Sequence, residues 1–155
     1  MLKMRRVILS DTSCLILLDK IGELQLLNQL FGKITITKEI EEEFHKVLPD
    51  WFEIESPQNT TYQKILEASL DKGEASAIAF ALEQKDCLII IDDLKGRKYA
   101  EQLGLNITGT LGVLIEAKLS GHLNSIKPSL EKIKRTNFRL TINLERKALE
   151  KAGEL

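Results

Sequence analysis

Short apolar runs alternate along this chain with longer stretches in which apolar residues return every three or four positions. Residues 6 to 10 form a compact apolar run suited to a sheet interior. The following "TSCLILLDKIGELQLLNQLF" spaces its leucines and isoleucines as one or two helices, punctuated at Gly22 and Gly32. "KITIT" at 33 to 37 is short and β-branched, a second strand, and "KEIEEEFHKV" behind it puts Ile40, Phe44 and Val47 on one helical stripe. A strand and helix are thus repeated as a unit. From Leu48 to Asn59, a segment holding Pro49, Trp51, Phe52 and Pro57 reads as a connection with room for a short extended piece, ahead of a helix near 60 to 70.

"DKGEASAIAFALEQKD" carries the clearest helical pattern, with Ala75, Ile78, Ala79 and Leu82 on an apolar face and Glu74 in the first turn. Then come the strand "CLIII", a polar helix from about 94 to 103, the short strand "NIT" and the apolar helix "GTLGVLIEAKLSGHL". The remainder reads as two helices, with Pro128 in the first turn of one and Thr141 or Asn143 near the start of the other. Such alternation predicts an α/β fold, a mainly parallel sheet of four to five strands covered on both faces. The 155 residues suffice for one such domain with its own core, 1–155, the C-terminal helices at about 125–152 included.

Composition adds mainly exclusions. With 43% apolar and 29% charged residues the chain is an ordinary globular one, not a disordered or fibrous one. Lys and Arg (22) nearly balance Asp and Glu (23), so affinity for a polyanion must come from local cations or from metal ions. No apolar stretch nears the ~20 residues of a membrane span, and "MLKMRR" is not followed by a signal-peptide core, so a cytoplasmic location without a membrane partner is expected. Cys14 and Cys87 sit in apolar runs without CxxC spacing and read as small buried hydrophobes.

The candidate chemistry lies where apolar runs end in acids. "RRVILSDTSCLILL" delivers Asp11 and "CLIIIDDLKGR" delivers Asp92 and Asp93 at the carboxyl ends of two predicted strands, where open parallel sheets bind ligands. Glu43, one turn after Glu39, and Glu74 can join them from two helices. Carboxylates so gathered raise one another's pKa, and a hard divalent cation removes the conflict. Mg²⁺ or Mn²⁺ prefers such oxygens, activates water and stabilises the leaving oxygen of a phosphodiester. Taken singly, Asp11 also reads as a helix N-cap, and Glu39, Glu41 and Glu42 read as a solvated face.

The assembled motifs resemble the PIN-domain family, which includes the ribonuclease toxins of VapBC toxin-antitoxin pairs. The resemblance is carried by "SDTSCLI", "ITKEIEEEF", "DKGEASAIAFA", "LIIIDDLKGRKYAEQLGL" and "GTLGVLIEAKLSG", and it covers nearly the whole chain. It is nearest to a little-characterised branch of PIN-like proteins often found beside small partner genes. It implies a PIN-like three-layer α/β/α sandwich and a metal-dependent ribonuclease, the toxin of a pair. In it Asp11, Glu43, Glu74 and Asp92 match the acidic quartet, Ser13 matches the hydroxyl that supports the first acid, and Asp93 is an additional or alternative metal ligand. By the same resemblance Asp11, Glu74 and Asp92 hold Mg²⁺ or Mn²⁺, homodimers are common, and a small antitoxin covers the acidic groove. Two departures stand out. The third acid is Glu74 where many relatives carry Asp, and Glu39 competes with Glu43 for the second position.

Lys95, Arg97 and Lys98 follow the paired acids and are candidates for holding an RNA backbone, or equally a solvated helix face. Lys132, Lys134, Arg135 and Arg139 read as solvated or partner-binding. His45 and His122 lack fellow ligands, and Trp51 and Phe52 suit a core or a subunit contact. Two other α/β enzyme classes fit less well. A receiver domain wants its acid pair after the first strand and a Lys after the fifth, and a haloacid-dehalogenase-like phosphatase wants D-x-D where this chain has "DTS". A binding module on the same fold, with weak or lost cleavage, is the non-enzymatic alternative.

Overall fold

A computed structural model describes residues 6–155. The expectation drawn from the first five residues lies outside the described part. The strands are β1 (Val7–Ser10), β2 (Ile34–Thr37), β3 (Phe52–Glu55), β4 (Cys87–Ile90) and β5 (Asn106–Thr108). The helices between and after them are α1 (Thr12–Lys20), α2 (Gln25–Phe31), α3 (Lys38–Phe44), α4 (Thr60–Leu66), α5 (Lys72–Leu82), α6 (Leu94–Gln102), α7 (Thr110–Leu119), α8 (Lys127–Ile133) and α9 (Ile142–Lys151).

The five strands form one sheet in the order β3-β2-β1-β4-β5, every neighbouring pair parallel. Residues alternate between its faces as the two-residue period requires. Ile8, Ile34, Ile36 and Ile90 enter a core with Leu15, Leu18, Leu27 and Leu114. Leu9, Cys87, Ile89 and Ile91 enter a second core with Leu66, Ala75, Ile78 and Ala100. That split makes the expected three-layer α/β/α sandwich. α5 is enclosed almost all round, Gly73 and Ala75 through Ala81 being buried, because its small residues let the helix lie close against sheet and neighbours.

The chain winds outward from β1 through β2 to β3, then returns to lay β4 on the other side of β1. β1 and β4 are therefore the strands at the topological switch, where a crevice opens beyond their carboxyl ends. Ser10 pairs with Ile90, and the Asp11 amide extends that ladder by donating to the Ile90 carbonyl at 2.9 Å. Asp11 and Asp92 consequently leave the sheet side by side.

One local expectation needs correction, and the 48 to 59 connection does hold the short extended piece it has room for. Val47 does not continue the α3 stripe. The helix stops at Phe44, His45 turns left-handed with φ 61°, and Val47 is 98% exposed. The connection from 48 to 59 contains a full edge strand, Phe52–Glu55, registered on β2 from Ile34 with Phe52 to Thr37 with Glu55. Trp51 and Phe52 stack with ring centroids 4.4 Å apart and pack against the first core. Both cysteines are buried, and both His45 and His122 are exposed.

Candidate functional site

Asp11 serves local structure and the crevice at once. It is the N-cap of α1, its Oδ1 accepting the Cys14 amide at 2.9 Å, while Oδ2 is buried without any partner. Only 1% of the residue is exposed, and this burial, with the charge of Asp92 adding to it, lifts the carboxyl to about 7. The Cys14 bond opposes the rise without cancelling it.

Asp92, half-buried at the end of β4, is clamped by the start of α7. The Thr110 amide donates to Oδ1 at 2.8 Å, the Thr110 hydroxyl to Oδ2 at 2.6 Å, and the Cys14 thiol to Oδ2 at 3.2 Å. The preceding Gly109 permits this approach, since a Cβ there would stand 2.6 Å from Asp92 Oδ1 and 3.0 Å from Arg97 Nη1. Burial and the neighbouring Asp11 and Asp92 push the Cys14 thiol well above its ordinary pKa, so it stays a neutral donor.

Glu74 projects from the first turn of α5 with Oε2 buried and unpartnered. Burial comes first, then the charges of Asp71, Asp93 and Asp11, in pushing its carboxyl up to about 8. The space it occupies exists because residue 96 is glycine. A Cβ on Gly96 would lie 2.8 Å from Glu74 Oε2 and 2.6 Å from Ile91 Cδ1. Asp71 and Asp93 are themselves N-caps, of α5 through the Glu74 amide at 2.8 Å and of α6 through the Gly96 amide at 2.9 Å.

Glu43 approaches from the other flank of α5. It is exposed on α3, and a Cβ on Gly73 would fall 2.0 Å from its Oε1. Burial, then Asp71, then Glu39 raise its pKa, and the Thr12 hydroxyl on the same side of Gly73 eases the rise. Glu39 is half-buried with Oε2 unpartnered. Glu39 and Glu43 share a separate depression with Glu42 and Lys72, so both border the α5 end of the crevice.

The acids thus form a chain, Asp92 beside Asp11, Asp11 near Glu74, and Glu74 joined to Glu43 through the charge of Asp71. Among the described residues, no three acid, imidazole or thiol groups converge tightly enough to grip one ion by themselves. Mg²⁺ does not require that, since it keeps several waters and is commonly bound through one or two carboxylates. The donors suit such an ion: all are oxygens, and Asp11 Oδ2 and Glu74 Oε2 are buried acceptors with nothing to accept from.

The other expected site residues fall as follows. Ser13 is exposed in the first turn of α1, and Asp11 is held by the Cys14 amide instead. Lys95 and Lys98 are exposed on α6, whereas Arg97 is half-buried and donates to the Ile91 carbonyl at 2.7 Å. Lys134 is occupied by Glu131 and Glu145, away from the acids. Sequence reasoning passed over Thr110, Cys14 and Asp71. A Thr opening the helix that follows "NIT", the strand next to the one ending in Asp92, was the available signal for the first.

A protein-family model described as a PIN domain matches residues 7–154. No curated protein and no solved structure matches the chain.

Proposed function

We propose that this chain, which belongs to the PIN-domain family, is a Mg²⁺- or Mn²⁺-dependent endoribonuclease and the toxin of a toxin-antitoxin pair. The observation that carries this is the pair of unpartnered, buried carboxylate oxygens, Asp11 Oδ2 and Glu74 Oε2, at the switch point of a parallel sheet. Their pKa values of about 7 and about 8 leave the two groups poised near neutral pH, where a bound cation would tip both to the ionised form.

Asp11 and Glu74 would hold the ion, with Asp92 offering a third carboxylate fixed in place by Thr110. The cation supplies water activation and neutralises charge on the phosphodiester. Glu43, on the far flank, orients water at the edge of the site. Arg97 stands beside Asp92 across Gly109 and meets the phosphate, and Lys95 and Lys98 extend positive charge along α6. A small antitoxin and a homodimer are part of the same proposal, taken from the family.

One observation favours a second reading, a binding module with little cleavage. Both Asp92 oxygens are already engaged, by Thr110 and Cys14. A single assay separates the two. Labelled RNA pools are incubated with Mn²⁺ or Mg²⁺ and with EDTA, using the wild type, Asp11→Asn and Asp92→Asn. Cutting that needs metal and vanishes in both variants is the expected result. A folded wild type that binds Mn²⁺ and cuts nothing would point to the binding module, and absence of Mn²⁺ binding would overturn the site itself.

A further inference from the structure

Asp92 has little to offer a cation while its present hydrogen bonds stand. Oδ1 accepts the Thr110 amide, and Oδ2 accepts both the Thr110 hydroxyl and the Cys14 thiol, which fills the two lone-pair sites of that oxygen. Oδ1 keeps one lone pair, but across Gly109 from it stands the Arg97 guanidinium, whose charge repels a second cation. Oδ2 must therefore shed a donor before Asp92 can serve as a ligand.

The two donors on Oδ2 are unequal. Thr110 opens α7 and grips Asp92 twice, at 2.8 and 2.6 Å. The Cys14 thiol stands at 3.2 Å, and sulfur is a weak donor. Cys14 is fully buried in the first turn of α1, where its amide is tied to Asp11 Oδ1 at 2.9 Å. One residue thus touches both acids, Asp11 through a bond that the helix fixes and Asp92 through a bond that rotation about one torsion breaks. The sulfur lies close enough to both carboxylates for each to act on it by charge. Asp11 keeps Oδ2 buried and unpartnered alongside.

We infer that Cys14 is a positioning residue whose thiol holds Asp92 in the metal-free protein and releases Oδ2 to a cation shared with Asp11. This rests on the reading of Asp11 and Asp92 as metal ligands. A hydroxyl at residue 14 would hold Oδ2 more firmly against the cation, and a side chain without a donor would not hold it at all. The thiol lies between these, and Thr110 keeps the carboxylate in place during the exchange. The engagement of Asp92 then becomes a resting state of the site rather than an obstacle to metal binding.

Infrared spectroscopy reads the S–H stretch directly, and Cys87→Ala leaves Cys14 as the one thiol of the chain. In EDTA the carboxylate acceptor should displace the band to low frequency, and Asp92→Asn should move it up. Saturating Mg²⁺ should move it up as well, with the band still present. A band that Mg²⁺ leaves in place would overturn the inference, as would one that vanishes because the sulfur has lost its proton and become a ligand. Calorimetry with Mn²⁺ gives the second readout. Cys14→Ala keeps both Thr110 bonds and should bind Mn²⁺ about threefold more tightly than the wild type, and Cys14→Ser about threefold more weakly. A thiol that only fills space makes the alanine and serine variants alike, and that result in proteins that still melt cooperatively would overturn the assignment. The infrared measurement needs no change at residue 14, so it decides the matter even where a Cys14 variant folds poorly. RNA cleavage, followed in parallel, keeps the two ideas apart. A band that responds to Mg²⁺ in a protein that cuts nothing sinks the nuclease and keeps the role of Cys14, and Mg²⁺-dependent cutting with an unmoved band does the reverse.

Discussion

Replacing Asp11 by Asn should make the metal-free protein less sensitive to alkaline pH. The Asp11 carboxyl ionises at about 7 in the fold against an ordinary 3.8. Below pH 4 it is protonated in both folded and unfolded chains and contributes no difference. Between about 4 and 7 the unfolded chain gives up the proton and the folded one keeps it, so stability falls as pH rises, by about 1.4 kcal/mol per unit. The fall is complete above about 7 and totals about 4 kcal/mol, of which about 3 kcal/mol lies between pH 5 and pH 8. Asn does not titrate, and it caps a helix as well as Asp does, so the Cys14 amide keeps its acceptor. Glu74 pulls in the same direction in both proteins, and because the Asp11 charge is one cause of its rise, losing that charge eases the Glu74 rise in the variant and adds to the same difference. Urea denaturation in EDTA at pH 5, 6, 7 and 8 should therefore show the wild type losing about 3 kcal/mol more than Asp11→Asn, roughly 6–12 °C in Tm. Mg²⁺ at pH 8 should restore the wild type and leave the variant where it was. Parallel pH curves for the two proteins would refute the claim that Asp11 is a buried, uncompensated acid.

Two further substitutions probe the rest of the site. Thr110→Val keeps the amide on Asp92 Oδ1 and deletes the hydroxyl on Oδ2, so RNA cleavage should drop about tenfold with roughly 1–2 kcal/mol lost in urea denaturation, and unchanged kcat would show that Asp92 needs no orienting. Gly73→Ala places a methyl 2.0 Å from Glu43 Oε1, the mobile end of an exposed side chain. Its stability should change by less than about 1 kcal/mol while cleavage falls, and full activity would remove Glu43 from the mechanism in favour of Glu39.

The layers of the fold were legible because the patterns that specify them are local. "RVILS", "KITIT" and "CLIII" are apolar runs too short for helices, and each is followed by helical spacing, which leaves a parallel sheet as the simple solution. β3 was harder to see because "FEIE" offers only two alternating cycles at an edge where charged residues are expected. Val47 was misplaced because an apolar residue at helical spacing carries no sign that the helix has already turned left-handed at His45. The meeting of Asp11 with Asp92 could be anticipated from topology. The Thr110 clamp and the room made at Gly73 and Gly96 could not, since they depend on which helix start faces which strand end.

The acids are tolerated in this crevice because the helices aim at it. Asp11, Asp71 and Asp93 cap α1, α5 and α6, and Asp92 takes the first amide of α7, so four helix N-termini turn their partial positive charge and free N–H groups toward one carboxylate chain. Such compensation is worth up to a kcal/mol or so at each terminus, enough to fold the chain around its acids and too little to return Asp11 or Glu74 to an ordinary carboxylate pKa. The deficit shows on carboxylate oxygens left without a partner, Asp11 Oδ2 and Glu74 Oε2 in the crevice and Glu39 Oε2 at its edge. A cation therefore has a place without being a structural requirement. The protein in EDTA should retain its native circular dichroism, and loss of RNA cleavage under that condition then reports on chemistry rather than on unfolding. Collapse of the spectrum on chelation would instead mean that the helix termini do far less of the compensation than their number suggests.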